Sequence, residues 1–124
     1  MIALDTSSVV AYLDGSKGTD VLAVDLALEQ HQAVLPPVVL CELLSAPRLP
    51  RRARTLFEQL PLLHILDGYW ERAGLLRARI LAKGYKARIA DALIAQACLD
   101  HDVPLISRDD FRHFSRLTTL HMLE

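Results

Sequence analysis

The chain has 124 residues, 52% of them hydrophobic and 23% charged, with 5 Gly, 6 Pro and 2 Cys. That length suits one domain, residues 1–124, with enough apolar surface for a core; a two-domain chain, a disordered or collagen-like chain and a disulfide scaffold are excluded. The net charge of −1 is unevenly spread: residues 1–47 hold one Lys against six acids, residues 48–88 ten Lys and Arg against three, and residues 89–124 three against six.

A basic middle thus lies between acidic ends, and Arg51, Arg52, Arg54, Arg72, Arg77 and Arg79 read mostly as solvated helix faces. Met1-Ile2-Ala3-Leu4-Asp5 lacks the basic start and uninterrupted apolar run of a signal peptide, and no apolar run reaches the ~18 residues of a membrane span. A cytoplasmic protein with no membrane association is expected. Cys41 and Cys98 are far apart and read as reduced, small hydrophobic residues.

In chain order, Met1–Asp5 is a short apolar strand ending in a carboxylate. Asp5-Thr6-Ser7-Ser8 supplies caps for a helix carrying Val9, Val10, Tyr12 and Leu13. Gly15–Gly18 breaks the pattern, and Thr19 or Asp20 starts a second helix running to about Gln30. Ala33-Val34-Leu35 is a strand stopped by Pro36-Pro37, and Pro37 suits the first turn of a helix over 38–45. After Pro47 and Pro50, residues 51–60 form an amphipathic helix with Leu56, Phe57 and Leu60 inward, and Leu62–Leu66 is a third strand. Residues 68–83 form a helix closed by Gly84. The most apolar helix, Arg88 to His101, leads into strand Val103–Ile106, a polar turn over 107–110 and a last strand near Thr118–Met122.

Strands alternate with helices, which predicts an α/β fold with a parallel sheet of about five strands and helices on both faces. Ligands of such sheets sit outside the carboxyl ends of the strands, where strand order reverses. Asp5 and Asp109 both belong to that edge, although each also suits a local role, as a helix cap or an Asx-turn. Glu42 is the one charge in Val38–Leu44, an all-apolar helix expected to be buried, where an unpaired carboxylate costs several kcal/mol unless a cation or hydrogen bonds offset it. Asp91 repeats the anomaly in Ile89–Ala95, though its first-turn place also suits the helix dipole.

Four acids pressed together need a hard divalent cation to stay ionised, and oxygen-only donors suit Mg²⁺ or Mn²⁺. Zinc is excluded by the scattered histidines and cysteines, and the five glycines form no phosphate loop. Lys83-Gly84-Tyr85-Lys86-Ala87-Arg88, with Arg108 and Arg112 at the other end of the site, offers cations for phosphates and an aromatic ring for a base. The same segment also suits an exposed helix end with a packed Tyr.

D-T-S after the first strand, a lone Glu in an apolar third helix, D-A-L-I-A opening a late helix and S-R-D after the next strand, in this order, resemble the PIN-domain ribonucleases. More narrowly they resemble the VapC-type toxins of bacterial toxin–antitoxin pairs. The resemblance covers Met1 to about Met122. It implies a PIN-like three-layer α/β/α sandwich and a Mg²⁺- or Mn²⁺-dependent endoribonuclease whose acidic quartet is Asp5, Glu42, Asp91 and Asp109.

On the same basis Ser7 and Ser107 are supporting hydroxyls, Ser107 standing where the family often has Thr. Asp5, Asp91 and Asp109 are the main metal ligands, and Glu42 binds through water or acts as a base. The family commonly spaces its last acid from a later Asp-Phe by one residue, whereas Asp109-Asp110-Phe111 are contiguous here, leaving open which Asp faces the metal. The resemblance also implies products with 5′-phosphate and 3′-hydroxyl ends, a homodimer and a VapB-like antitoxin lying over a groove for which Val9, Tyr12, Leu43, Leu44 and Leu56 are candidates. A non-toxin RNA-processing nuclease of the same fold and a catalytically inactive binding module remain the alternatives.

Overall fold

The computed structural model describes residues 1–123. Its centre is a parallel sheet of three short strands, β1 (Ile2–Leu4), β2 (Ala33–Val34) and β3 (Leu105–Ile106), in the order β2-β1-β3. Ala3, Leu4, Ala33, Val34, Leu105 and Ile106 are all buried. Neighbouring residues of a strand point to opposite faces, so burial of each pair means that both faces of the sheet are covered.

The cover comes from α1 (Thr6–Leu13), α2 (Thr19–Glu29), α3 (Pro37–Leu44), α4 (Arg51–Gln59), α5 (Tyr69–Ala82), α6 (Ile89–His101) and α7 (Arg112–Leu117). Helix α1 packs on α2 and α5 lies along α6. The chain leaves β1 toward β2 and later returns to the other side of β1 as β3, and right-handed crossovers in the two directions put α1–α2 and α5–α6 on opposite faces. This is the three-layer α/β/α arrangement expected. The reversal falls between β1 and β3, so their carboxyl ends open a crevice there.

The two outer strands are shorter than expected. Leu62–Leu66 contributes one parallel bridge, Leu62 to Leu35, and Thr118–Met122 another, Met122 to Leu105. Ile65 and Leu66 stay exposed, so there is no buried face to hold a longer ladder. Helix α7 is an addition: Asp110 Oδ1 accepts the Arg112 backbone N–H at 2.9 Å at its start, and Phe111 and Phe114 are buried. The spacing Phe111-Phe114-Leu117 is the signal that identifies it.

Local chemistry explains several ends. Gly84 follows α5 with φ +81°, a left-handed turn for which glycine needs no Cβ accommodation. Arg72 is not a solvated face residue, because its guanidinium grips Asp100 through Nε at 3.0 Å and Nη2 at 2.7 Å. Cys98 is buried, and burial first, with the charge of Asp5 second, pushes its thiol up to about 12; Cys41 is exposed, not packed as a small hydrophobic residue. Among the described residues no helix is long and apolar enough to cross a membrane.

Candidate active site

The crevice at the β1/β3 switch holds a cleft of about 210 Å³ lined by Asp5, Thr6, Ser7, Glu42, Arg88, Asp91 and Asp109, among others. The four carboxylates arrive from four places: the end of β1, helix α3, the first turn of α6 and the turn after β3.

Asp5 is 2% exposed. It stands just before α1 with an extended backbone, yet its carboxylate makes no capping bond. Instead Oδ2 accepts hydrogen bonds from Ser7 Oγ at 2.8 Å and Ser107 Oγ at 2.7 Å, which leaves Oδ1 without a hydroxyl partner. Two hydroxyls on one oxygen hold a buried carboxylate in one orientation. Ser107 also accepts the Asp109 backbone N–H at 2.9 Å, so a single side chain ties the turn after β3 to the end of β1.

Asp91 is nearly buried on α6, and burial raises its carboxyl above the ordinary value; Arg88 opposes that rise and the charge of Asp5 adds to it. Asp109 is likewise raised, by burial first and then by the charge of Asp5, again with Arg88 opposing. Asp110 points elsewhere: it receives the start of α7 and pairs with Arg112 at 2.9 Å, and the Arg112 backbone N–H holds its carboxyl below the usual range. Asp109, not Asp110, lines the cleft.

Glu42 departs from expectation. Only Val39 and Leu43 of α3 are fully buried, and Glu42 is exposed, taking a hydrogen bond from Thr6 Oγ1 at 2.7 Å. The buried-charge argument therefore does not apply to it; it lines the cleft from a helix whose outer side faces an open groove. Thr6, one residue after Asp5, is the partner that sequence reasoning did not name, and its place in D-T-S is the signal for it.

The expected cations divide. Arg88 turns into the cleft, with Nε 3.3 Å from Asp91 and Nη2 3.9 Å from Asp109, its side chain still 75% exposed. Arg108 turns to Asp20 instead, through Nε and Nη2, each at 3.0 Å. Arg112 is occupied by Asp110. Lys83 and Lys86 are exposed on the approach to α6, and the Tyr85 ring stacks on His113 with centroids 4.1 Å apart. That stack joins the segment before α6 to α7, and sequence spacing gives no hint of it.

The cleft lining holds four carboxylates and no thiolate or imidazole, and a hard cation such as Mg²⁺ or Mn²⁺ fits that donor chemistry. Among the described residues no three His, Cys, Asp or Glu already close on one point at ligand distance. The cation that the acids meet is the Arg88 guanidinium. A second, mostly apolar groove of about 680 Å³ adjoins the cleft and shares Glu42 with it; Tyr12, Leu43 and Leu56 line it with Val10, Leu13 and Leu49. Val9 and Leu44 do not, Val9 being buried in the core instead.

The comparisons with known proteins agree with this architecture. The chain resembles three solved complexes: VapBC-1 from nontypeable Haemophilus influenzae (20% identity, TM-score 0.73, 100% of this chain and 98% of that one), VapBC2 from Rickettsia felis bound to a promoter DNA fragment (19%, 0.71, 99% and 98%) and VapBC-5 from Mycobacterium tuberculosis (23%, 0.57, 99% and 94%). At these identities the likeness is one of fold. No curated protein sequence matches. The PIN-domain family profile matches residues 2–118, and the chain is a member of the PIN-domain family.

Proposed function

We propose that this protein is a Mg²⁺- or Mn²⁺-dependent endoribonuclease, the VapC-type toxin of a toxin–antitoxin pair. The observation that carries the reading is the meeting of Asp5, Glu42, Asp91 and Asp109, from four separate elements, in one cleft at the β1/β3 switch point. Like charges gathered at such a cost are stabilised by a divalent cation. Asp5, Asp91 and Asp109 would hold it directly and Glu42 through water. When bound, the ion supplies charge stabilisation to a phosphodiester and acidifies a coordinated water.

The chain's own groups do the rest. Ser7 and Ser107 hold Asp5 in register, and Glu42, kept in place by Thr6, faces the cleft as the group able to accept the proton of an attacking water. Lys83 and Lys86 contact backbone phosphates and Tyr85, braced by His113, offers a ring to a base. In-line attack would leave 5′-phosphate and 3′-hydroxyl ends.

The apolar groove beside the cleft is the place for a VapB-like antitoxin segment, since it presents exposed apolar side chains, Val10 and Leu13 among them, next to Glu42. A homodimer is assigned to the α5–α6 face, where Trp70 is 63% and Ile89 66% exposed. A cytoplasmic protein acting on RNA goes with this reading. The test is cleavage of total cellular RNA with Mg²⁺ or Mn²⁺: wild type cuts, whereas folded Asp5→Asn and Asp91→Asn do not. Folded variants that cut like wild type would refute the assignment.

A further inference from the structure

Arg108 was expected at the RNA, yet its Nε and Nη2 both bond within the protein. Besides the two bonds to Asp20, Nη2 donates to the Lys17 carbonyl at 2.9 Å, and Ser8 Oγ donates to Asp20 Oδ2 at 2.9 Å. Asp20 sits in the first turn of α2 with its side chain 15% exposed, so the pair is partly shielded from water. The Arg108 backbone N–H also donates to Ser7 Oγ at 3.2 Å. One residue thus fastens the turn after β3 to the β1–α1 junction by its backbone and to the α1–α2 connection by its side chain, across 88 positions of sequence.

The fit is close. Gly18 has φ +149°, and a Cβ there would lie 2.6 Å from Asp20 Oδ1 and 2.9 Å from Arg108 Nη2. A side chain at 18 would have to displace the pair. Bidentate carboxylate–guanidinium contacts of this kind fix orientation as well as distance. What they orient here is the next residue, Asp109. The turn over 107–110 belongs to no helix or strand, and Arg108, Asp109 and Asp110 are all exposed, so packing of their own side chains does not hold them, although Phe111 just beyond is buried.

We infer that the Asp20–Arg108 ion pair is a positioning device for the cleft, with Asp20 and Arg108 setting where the Asp109 carboxylate stands relative to Asp5. This rests on the reading of Asp109 as a metal-side carboxylate. Asp20 itself touches neither the cleft nor any group in it, and acts through the turn. The guanidinium of Arg108, paired with Asp20, serves the turn.

The experiment compares wild type with Asp20→Asn and Arg108→Met, which break the same pair from opposite ends, so that a folding failure in one leaves the other. Hydrogen exchange of residues 107–112 and Mn²⁺ affinity by calorimetry are both read. The expected result is faster exchange confined to the 107–112 turn and the Ser16–Asp20 segment, with α5 and α6 unchanged. Mn²⁺ affinity falls roughly ten- to a hundredfold, the range for losing a group that orients a ligand. In RNA cleavage kcat falls while KM holds, and Asp20→Glu restores part of the loss.

Wild-type Mn²⁺ affinity in both folded variants, or a raised KM with unchanged kcat, overturns the inference. If wild type itself takes up no Mn²⁺, the metal reading fails, and the exchange arm alone decides whether the pair holds the turn.

Discussion

Ser107→Ala is the sharpest single-atom perturbation of the cleft. The Ser107 hydroxyl donates to Asp5 Oδ2 at 2.7 Å, accepts the Asp109 N–H at 2.9 Å and lies 3.3 Å from Ser7 Oγ. A hydrogen bond to a charged group contributes about 1.5–3 kcal/mol and a neutral one about 1 kcal/mol. Asp5 is buried, so water does not replace the lost donor, but Ser7 still holds the same oxygen, which favours the lower end. The loss is therefore about 2–3 kcal/mol, or roughly 10 °C in Tm for a chain of this length. Thermal melts in chelator read it without interference from bound metal. Ser107→Thr keeps the hydroxyl and stays within ~1 kcal/mol of wild type. A Ser107→Ala protein that melts within ~0.5 kcal/mol of wild type would refute the claim that this hydroxyl holds Asp5 and Asp109 together.

The remaining predictions concern charge. Asp91 and Asp109 are raised above the ordinary carboxylate value, so between that value and the raised one the folded chain holds protons that the unfolded chain has released. Metal-free stability accordingly falls as pH rises through that window and stays at the lower level above it. Arg88→Gln removes the cation opposing both rises, which widens the window and deepens the fall, and added Mn²⁺ at neutral pH recovers the loss. A pH–Tm profile superimposable on wild type would contradict this. Lys83→Ala with Lys86→Ala weakens RNA binding and lowers the slope of log affinity against log salt by about 1.4, two single-strand phosphate contacts' worth. Arg108→Met leaves that slope unchanged.

What the sequence discloses, and what it withholds, follows from range. Asp5 at a strand end and Asp91 in an apolar helix are anomalies visible within a few residues, and both line the cleft. The alternation of strands and helices is equally local, and with it the sheet and its switch point. Glu42 is in the cleft for a different reason from the one its neighbours suggest: α3 is apolar around its circumference because one side packs inward and the other borders a groove. The strands over 62–66 and 118–122 shrink to single bridges because apolar composition alone does not show whether a second face will be covered. Arg108 could not be read correctly at all, since its partner Asp20 lies 88 positions away and leaves no periodic trace. The same holds for Tyr85 on His113, a stack between the loop before α6 and helix α7.

The most direct test of the central claim is anomalous diffraction from crystals soaked in Mn²⁺. The account predicts a single-wavelength Mn peak between Asp5, Asp91 and Asp109, with the Arg88 guanidinium displaced from the acids. Crystals that show no Mn between these carboxylates, at an ion concentration where the protein cuts RNA in solution, would contradict it.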